Sequence, residues 1–342
     1  MQRPHRALIS NGSFLEVQDR FLDRLGRSSV QVIPHNHTVS MTDWEVHELG
    51  IDADIIFGPS AGLDASLFEA NRNLKIISIA ASGYEGVDLD AATGVGILVT
   101  NAPSPLWSEA VADLTWGLLI AAARHIPQSH HRIVTAAPND RVPTRQPRPL
   151  GHLVWGKTLG IVGLGNIGRR VAIRAKGFNM RVIAHTRTWD EQFAGLHGIE
   201  RSSFEEILQE SDFVSLHVRE DAQTRRLLGT KELELMKPTS CLINTSRMGI
   251  IDVPALTNAL CNNKIAAAGL DTAIDNGDTP LIDLPNVVST PHLGNRNLEA
   301  ILETMDIAIR NVEKLLNGNA PPFLLNPEAI FHSRLRRTAG IE

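Results

Sequence analysis

The sequence predicts an α/β protein built on parallel sheets, and three observations support that fold class. Short apolar runs typical of buried strands alternate with helical patterns in two successive series. A glycine-rich turn follows one apolar run, opens a helical pattern and starts the second series. The chain of 342 residues is long enough for two domains with large cores.

The first series ends near Asn101, and its elements are short. Its strand-like runs cover residues 7–10, 30–34, 53–58, 74–80 and 97–101, with helical patterns at 18–25 and 65–70. Residues 107–133 are Ala-rich and apolar on more than one face, which predicts one long, mostly buried helix. Prolines between residues 136 and 151 predict a loop or arm.

The glycine turn lies in the segment KTLGIVGLGNIGRR. Gly163, Gly165 and Gly168 have GxGxxG spacing between a strand-like run and a helix, and Asn166 and Ile167 complete the turn. In a dinucleotide-binding fold, the first glycine permits the tight turn and the second admits a pyrophosphate. The third lets the helix pack closely on the strand. The alternative is an ordinary βα turn that holds no ligand.

The second series continues beyond this turn to the end of the chain. Its strand-like runs cover residues 159–162, 182–185, 213–217, 241–245, 266–270 and 287–290, with helices at 203–210, 253–260 and 297–316. The polar segment from residue 334 onward predicts a loose tail.

Composition excludes several classes of protein. The net charge of −5 argues against nucleic acid as the main partner. The two cysteines, Cys241 and Cys261, form neither a disulfide framework nor a metal site, and we expect both thiols to be buried. We find no signal peptide and no apolar stretch long enough to span a membrane, so the expected location is the cytoplasm.

The second strand of the glycine-turn series indicates which nicotinamide cofactor is used. NAD enzymes of this fold carry an acid about 20 residues after the turn, which binds the ribose 2′-hydroxyl. Thr186 and Arg187 stand there instead, and a guanidinium suits a 2′-phosphate. We therefore expect NADP(H) to be favoured, with NAD(H) possible. Arg187 as a solvated surface residue is the alternative, and Asp190 and Glu191 would oppose a phosphate if they turned inward.

Polar residues that follow late strands are the candidates for chemistry. Arg247, in the segment NTSR, can clamp a carboxylate with two parallel hydrogen bonds, or form an ordinary salt bridge. His292, in the segment TPHLG, can donate a proton because imidazole titrates near neutral pH, or can be structural. Residues 271–278 form an acidic loop after another strand.

Eight motifs in order carry a family resemblance over nearly the whole chain. They are AASGYEGVD at 80–88, TNAP at 100–103, EAVA at 109–112, the glycine turn, MKP at 236–238, NTSR at 244–247, GLD at 269–271 and TPHLG at 290–294. The chain resembles the D-isomer-specific 2-hydroxyacid dehydrogenases, which include glyoxylate and hydroxypyruvate reductases, phosphoglycerate dehydrogenase and formate dehydrogenase.

The resemblance implies two similar α/β domains with parallel sheets, Rossmann-like and flavodoxin-like, and an active site in the cleft between them. Residues 1–101 and 298–333 would form a discontinuous substrate domain, and residues 102–297 would form the nucleotide-binding domain. Residues 334–342 would be the loose tail. The helix at 107–133 and the arm after it would build a homodimer.

The resemblance also implies roles for single residues. Arg247 would hold the substrate carboxylate and carbonyl, and His292 would be the acid–base. Asp271 would hold the nicotinamide amide. The turn formed by Ala81, Ser82 and Gly83 would offer backbone N–H groups to the carboxylate. Further residues expected to line the cofactor are Val218, Thr224, Thr245 and Gly294.

Departures from the family pattern leave four questions open. Asn276 stands where most members carry the glutamate that partners the catalytic histidine, and Asp275 is the alternative partner, with Asp278 also near. A carboxylate stabilises a histidinium charge, whereas an amide only orients the ring. Arg219 replaces a proline and either binds the 2′-phosphate or is exposed. Met248 replaces a glycine after the catalytic arginine. Trp107 either shapes the substrate pocket or fills an interface.

These features predict an NADPH-preferring reductase that converts a 2-keto acid to a D-2-hydroxy acid by reversible hydride transfer. The alternative is a nucleotide-sensing protein, similar to the corepressors that resemble this family, with little catalysis. Oxidation of formate is a third possibility that rests only on the amide of Asn276.

Overall fold

The computed structural model describes residues 3–36, 38–58, 62–84, 86–136, 149–271 and 280–332. The chain divides into two compact units, Met1–Trp107 with Arg296–Glu342, and Ser108–Asn295. The acidic loop after Asp271, most of the predicted arm and the predicted tail lie outside the described residues.

The first unit contains a five-stranded parallel sheet with the strand order β2-β1-β3-β4-β5. Its strands are β1 (His5–Ile9), β2 (Val30–Val32), β3 (Ile55–Gly58), β4 (Ile76–Ile79) and β5 (Leu98–Thr100). Its helices are α1 (Gly12–Leu15), α2 (Leu22–Arg27), α3 (Asp43–Gly50), α4 (Ala65–Ala70), α5 (Leu89–Val95) and, from the far end of the chain, α13 (Leu298–Leu316).

Helix α13 completes the core of the first unit. Met305, Ala308 and Val312 of this helix pack in one cluster with Ile55 and Ile76 of the sheet. The buried Ser78 hydroxyl of β4 donates to the Ala308 carbonyl oxygen at 2.9 Å, which ties α13 to the sheet. The two ends of the chain therefore build one core together.

The second unit contains a seven-stranded parallel sheet with the order β12-β11-β10-β9-β6-β7-β8. Its strands are β6 (Thr158–Val162), β7 (Arg181–His185), β8 (Ile199–Arg201), β9 (Phe213–Leu216), β10 (Cys241–Asn244), β11 (Ala267–Leu270) and β12 (Val287–Ser289). The helices are α6 (Pro105–Arg124), most of which belongs to this unit, α7 (Ile126–Thr135), α8 (Asn166–Ala175), α9 (Glu191–His197), α10 (Phe204–Glu210), α11 (Thr230–Leu235) and α12 (Val253–Cys261).

The predicted fold class is confirmed, because both sheets are parallel and carry helices between their strands. Central strands such as β3, β4, β9 and β10 are buried along their whole length, as expected for a parallel sheet covered on both faces. The three-residue edge strand β8 was not anticipated, since only Ile199 in it is buried.

Two expectations about local structure were wrong. The single helix expected at residues 107–133 is two helices, since His125 adopts a left-handed conformation with φ of 51° between α6 and α7. Pro127 lies in the first turn of α7, where its missing N–H is tolerated, but inside a longer helix it would break a hydrogen bond. Cys261 is exposed, whereas Cys241 is buried as expected, and burial raises its pKa to about 12.

Helix α6 is long and apolar enough to span a membrane by length and composition, contrary to our expectation that no segment would be. A core helix meets the same criterion, and α6 contributes Ala112, Leu118, Leu119 and Ala122 to a buried cluster of the second unit.

Candidate active site

The glycine turn has the geometry that a dinucleotide requires. Gly163 has φ of 98°, and a β-carbon there would lie 2.6 Å from the His217 carbonyl oxygen. A β-carbon at Gly168 would lie 2.1 Å from the Gly163 carbonyl oxygen, so only glycine lets α8 approach β6 this closely. In contrast, a β-carbon at Gly165 would meet no atom within 4 Å, which leaves room above the turn for a pyrophosphate.

The N-terminus of α8 is suited to hold that pyrophosphate. Asn166 and Ile167 are its first residues, and the preceding Gly165 offers no side-chain acceptor to the free backbone N–H groups of the first turn. An anion placed there is stabilised by these donors and by the positive end of the helix dipole. The residues present therefore fit a dinucleotide.

The tip of β7 carries the residues predicted to select the cofactor. Thr186 is partly buried and Arg187 is exposed, and no acid occupies either position. A cavity of about 370 Å³ adjoins the tip; its lining residues are His185, Thr186, Arg201, Ser202, Ser203 and Glu206. Asp190 does not turn inward against a phosphate, because it pairs with Arg169 at 2.9 Å and caps α9.

The loop after β9 adds a feature that the sequence did not reveal. The Arg187 guanidinium lies 3.5 Å from a carboxylate oxygen of Asp221 and donates to the Gln223 side chain at 3.2 Å. The Thr224 hydroxyl is occupied within the same loop, where it donates to the Arg219 carbonyl oxygen. In the sequence, this contact was indicated only by the presence of an acidic residue, Asp221, in a segment predicted to lie near the cofactor.

Three neighbouring strands bring the candidate catalytic residues to one edge of the sheet. Asn244 of β10 is in register with Leu270 of β11, and Leu270 is in register with Ser289 of β12. Asp271 follows its strand directly, and Arg247 and His292 each follow theirs by three residues. Since adjacent strands lie about 4.8 Å apart, the outer two strands are separated by about 10 Å, which side chains of this length can span.

Arg247 stands on a loop that is fixed from within. The Asn244 side chain donates to the Arg247 carbonyl oxygen at 2.9 Å and accepts from the Ser246 N–H at 2.9 Å. The Ser246 hydroxyl donates to the Leu216 carbonyl oxygen of β9 at 3.0 Å. The backbone is therefore held while the Arg247 side chain is exposed at the carboxyl end of the sheet.

Asp271 holds the loop that carries His292. Its carboxylate accepts hydrogen bonds from the Thr290 hydroxyl at 2.6 Å, the Leu293 N–H at 2.6 Å and the Gly294 N–H at 2.7 Å. These contacts lie on both sides of His292, whose φ of 56° is uncommon for a residue other than glycine. The buried carboxylate therefore stabilises a strained backbone that presents the exposed imidazole.

Comparison with known proteins agrees with this geometry. The family model for the D-isomer specific 2-hydroxyacid dehydrogenase, NAD binding domain, matches residues 116–294. The glyoxylate reductase of Thermococcus litoralis is 40% identical over 274 residues, which cover 79% of this chain and 82% of the relative. This chain belongs to the D-isomer specific 2-hydroxyacid dehydrogenase family. The predicted family and the predicted class of enzyme are thereby confirmed.

Solved structures extend the likeness to almost the whole length. The TT0316 protein from Thermus thermophilus has a TM-score of 0.80 and 32% identity, over 94% of this chain and 99% of that chain. An acyclic imino acid reductase in complex with NADPH and D-Arg has a TM-score of 0.73 and 27% identity, over 94% and 99%. As a 2-hydroxyacid dehydrogenase, this chain is an oxidoreductase that uses a nicotinamide cofactor and acts on a small keto or hydroxy acid.

Two residues expected to line the cofactor in this dehydrogenase also have internal contacts. Thr245 is buried, and its hydroxyl lies 2.9 Å from that of Thr115 on α6. A β-carbon at Gly294 would lie 2.9 Å from the Asp271 carboxylate, so glycine is needed for the contact that holds the loop. Their contacts with the cofactor, and those of Val218, remain predictions.

His217 is a neighbour of the glycine turn whose state the sequence did not reveal. One ring nitrogen lies 2.8 Å from the Ser215 hydroxyl, and the other is buried without a hydrogen-bond partner among the described residues. Desolvation lowers the pKa of His217 to about 3, so the ring is neutral near pH 7. A neutral ring behind Gly163 adds no charge beside the predicted pyrophosphate site.

The residues expected to bind substrate in the first unit follow β4. The Ala81 carbonyl oxygen accepts from the Ala102 N–H at 2.9 Å, and the Ser82 carbonyl oxygen accepts from the Asn101 side chain at 2.9 Å. These bonds use the carbonyl groups of the turn, and the role of its N–H groups together with Gly83 stays a prediction. Trp107 has a buried indole N–H without a partner in the part of the chain that the structure describes, so its role stays open.

Three residues were predicted as possible partners of His292. Asn276, Asp275 and Asp278 all lie between 272 and 279, outside the described residues.

Proposed function

We propose that this dehydrogenase reduces a small 2-keto acid to the 2-hydroxy acid, the D isomer wherever that product is chiral, and that it prefers NADPH. Glyoxylate, whose product glycolate is achiral, is the first candidate substrate. The observation that carries the proposal is the common edge on which Arg247, Asp271 and His292 follow three adjacent strands in register. The relative named glyoxylate reductase supports the choice of substrate.

The chemistry follows from these side chains. A bound nicotinamide supplies the hydride that the carbonyl carbon accepts. Arg247 binds the substrate carboxylate through parallel hydrogen bonds and stabilises the negative charge that develops on the carbonyl oxygen. Protonated His292 donates its proton to that oxygen, and in the reverse direction the neutral ring accepts it. The contacts of Asp271 keep His292 in place through both states.

The test is consumption of NADPH and NADH with a panel of 2-keto acids that includes glyoxylate, hydroxypyruvate, pyruvate and branched or aryl pyruvates. His292→Ala should lower kcat at least a hundredfold and change the Kd for NADPH less than about threefold, because general acid–base catalysis contributes about 10²–10⁴-fold. Arg247→Lys should raise KM and lower kcat, since an ammonium cannot bind bidentately. A wild-type protein that binds NADPH and reduces none of these acids would instead favour the sensor function.

The preference for NADPH rests on the tip of β7, where Arg187 stands and no acid does. The similar acyclic imino acid reductase was solved with NADPH, which supports the same preference. Arg187→Ala should lower kcat/KM for NADPH at least tenfold and that for NADH much less, since the 2′-phosphate is the only part of the cofactor that we expect the guanidinium to contact. Equal losses with both cofactors, or a wild type that prefers NADH, would contradict the preference.

We further propose a homodimer through α7 and the segment after the arm. Exposed apolar side chains concentrate there; they are Ile126, Ile133, Val134, Leu150, Leu153 and Trp155. Apolar side chains that are exposed in one region are expected to be covered by a partner if they form a continuous patch. Light scattering should give a dimer for the wild type and a monomer for Ile133→Glu. The control Leu196→Glu, at an exposed apolar position of α9, should remain dimeric. The cytoplasm remains the proposed location.

A further inference from the structure

The side chain of Arg187 forms a bridge across the end of strand β6. Arg187 follows β7, and its partners Asp221 and Gln223 lie on the loop after β9. Strands β7 and β9 pair with opposite sides of β6. The bridge therefore passes over the carboxyl end of β6, where the glycine turn begins and where this fold places the adenosine half of its cofactor.

The two ends of the bridge differ in mobility. One carboxylate oxygen of Asp221 accepts the backbone N–H groups of Gln223 at 2.8 Å and Thr224 at 3.0 Å, which fixes the side chain in its own loop. The hydrogen bond from the Gln223 N–H has the largest effect among the contacts that hold the pKa of Asp221 below its ordinary value. The carboxylate is therefore charged near neutral pH. Arg187 is long and 73% exposed, so it is the partner that can move.

Other charged groups near the tip have partners of their own. Asp190 pairs with Arg169 at 2.9 Å. Glu206 accepts from the Ser203 N–H at 2.8 Å at the start of α10. The Arg201 guanidinium lies over the Trp189 ring at 5.6 Å. Asp221 is thus the carboxylate that faces the guanidinium expected to bind the 2′-phosphate.

We propose that Asp221 is a specificity-determining residue, which competes with the 2′-phosphate of NADP for Arg187 and so limits the preference for NADPH over NADH. NADPH must draw Arg187 away from Asp221 and also bring a phosphate towards a fixed carboxylate. NADH has a 2′-hydroxyl in place of the phosphate, so neither of these two effects weakens its binding. This inference rests on the proposed use of Arg187 for NADPH.

The competition has a limited size. Breaking an exposed ion pair of this kind weakens the binding of NADPH by at most about fivefold. Repulsion between the carboxylate and the phosphate weakens it further. We therefore expect Asp221→Asn to raise the ratio of Kd for NADH to Kd for NADPH about three- to tenfold. The amide oxygen of asparagine can still accept the N–H groups of Gln223 and Thr224, so the loop is retained.

Fluorescence titration of the full-length protein with NADPH and NADH measures this ratio without any substrate. The matched control is Glu220→Gln, which removes a carboxylate one residue away that pairs with Arg225 at 3.3 Å. We expect the control to change the ratio less than twofold. We also expect the effect of Asp221→Asn to shrink between about 0.02 and 0.5 M salt, because screening weakens exposed charges.

Three results would overturn the inference. They are an unchanged ratio in Asp221→Asn, an equal change in Glu220→Gln, and an Asp221→Asn effect that is undiminished when Arg187→Ala is already present. The last result would mean that Asp221 acts on the phosphate without Arg187. The proposed keto-acid reduction is tested separately, by turnover. If no turnover is found, both dissociation constants can still be measured.

Discussion

The carboxylate of Asp271 fixes the backbone of the loop that carries His292. Three of its lone-pair positions are occupied by the hydroxyl and N–H groups around His292. A left-handed histidine is costly in isolation, by about 1–3 kcal/mol, and persists only where its surroundings determine the backbone. We therefore expect Asp271 to be a positioning residue for the imidazole, and its contact with the nicotinamide stays a prediction.

Asp271→Asn tests this role. The amide NH₂ would face the N–H of Leu293 or Gly294, so one donor is left unpaired and the loop loosens. We expect kcat to fall roughly ten- to a hundredfold, because small misplacements of a catalytic group are costly. Hydrogen exchange should become faster at residues 290–294. The exposed Asp283→Asn should do neither, and unchanged exchange in Asp271→Asn would exclude the positioning role.

The depressed pKa of His217 makes a second prediction at this scale. The unfolded chain binds a proton near pH 6.5, whereas the folded state does so only near pH 3. The contribution of His217 to the free energy of unfolding is therefore fully present above pH 6.5. It falls as the pH drops towards 3, by at most about 1.4 kcal/mol per pH unit. Urea unfolding of His217→Gln should show a shallower loss between pH 6.5 and 4. Parallel curves would contradict the burial of a neutral ring.

The sequence singles out candidate residues most readily where a polar side chain follows the end of a strand. Arg247 and His292 could be chosen because each follows an apolar run, and parallel strands end at one edge. Asp221 could not be chosen, because its contact with Arg187 joins two loops distant in sequence and depends on side-chain direction. Cys261 was placed wrongly because periodicity did not show which face of α12 is covered.

Among the elements, α8 packs closely on β6 because Gly168 has no side chain. Gly168→Ala would put a methyl group 2.1 Å from the Gly163 carbonyl oxygen, so α8 must move away from β6. We expect a loss of about 1–3 kcal/mol in the free energy of unfolding and weaker binding of both cofactors, since the turn is displaced too. Chemical denaturation and cofactor titration measure the two effects.

Gly195→Ala is the matched control within another helix. A β-carbon at this position of α9 meets no atom within 4 Å, so alanine should stabilise the helix by about 0.5–1 kcal/mol. If Gly168→Ala behaved like this control, close packing of α8 on the strand would not be the reason for the third glycine.

The boundaries of helices are harder to predict from sequence patterns than the helices themselves. The break between α6 and α7 falls at His125, inside a region whose apolar character continues. Pro127 is compatible with a helix start, but our prediction rested on the Ala-rich pattern and did not use it. The helix predicted at residues 297–316 is α13, and there Asn297 caps the helix by accepting a hydrogen bond from the Ala300 N–H at 2.8 Å.

For the whole molecule, each unit contains its own cores. The two buried clusters of the second unit use only residues within Ser108–Asn295, whereas a cluster of the first unit needs residues 301–315 as well as the first hundred. A fragment of residues 108–295 should therefore unfold cooperatively and bind NADPH. A fragment of residues 1–107 should stay unfolded until residues 296–332 are added, and circular dichroism would detect either failure.

The late position of α13 also has a consequence for biosynthesis. Strands β1 to β5 leave the ribosome first, yet the helix that covers them is translated after the entire second unit. At about 5–20 residues per second, that delay is roughly ten to forty seconds. Throughout this delay strands β1 to β5 expose a sheet face that α13 has yet to cover, so we expect chaperones to bind there until α13 has been translated.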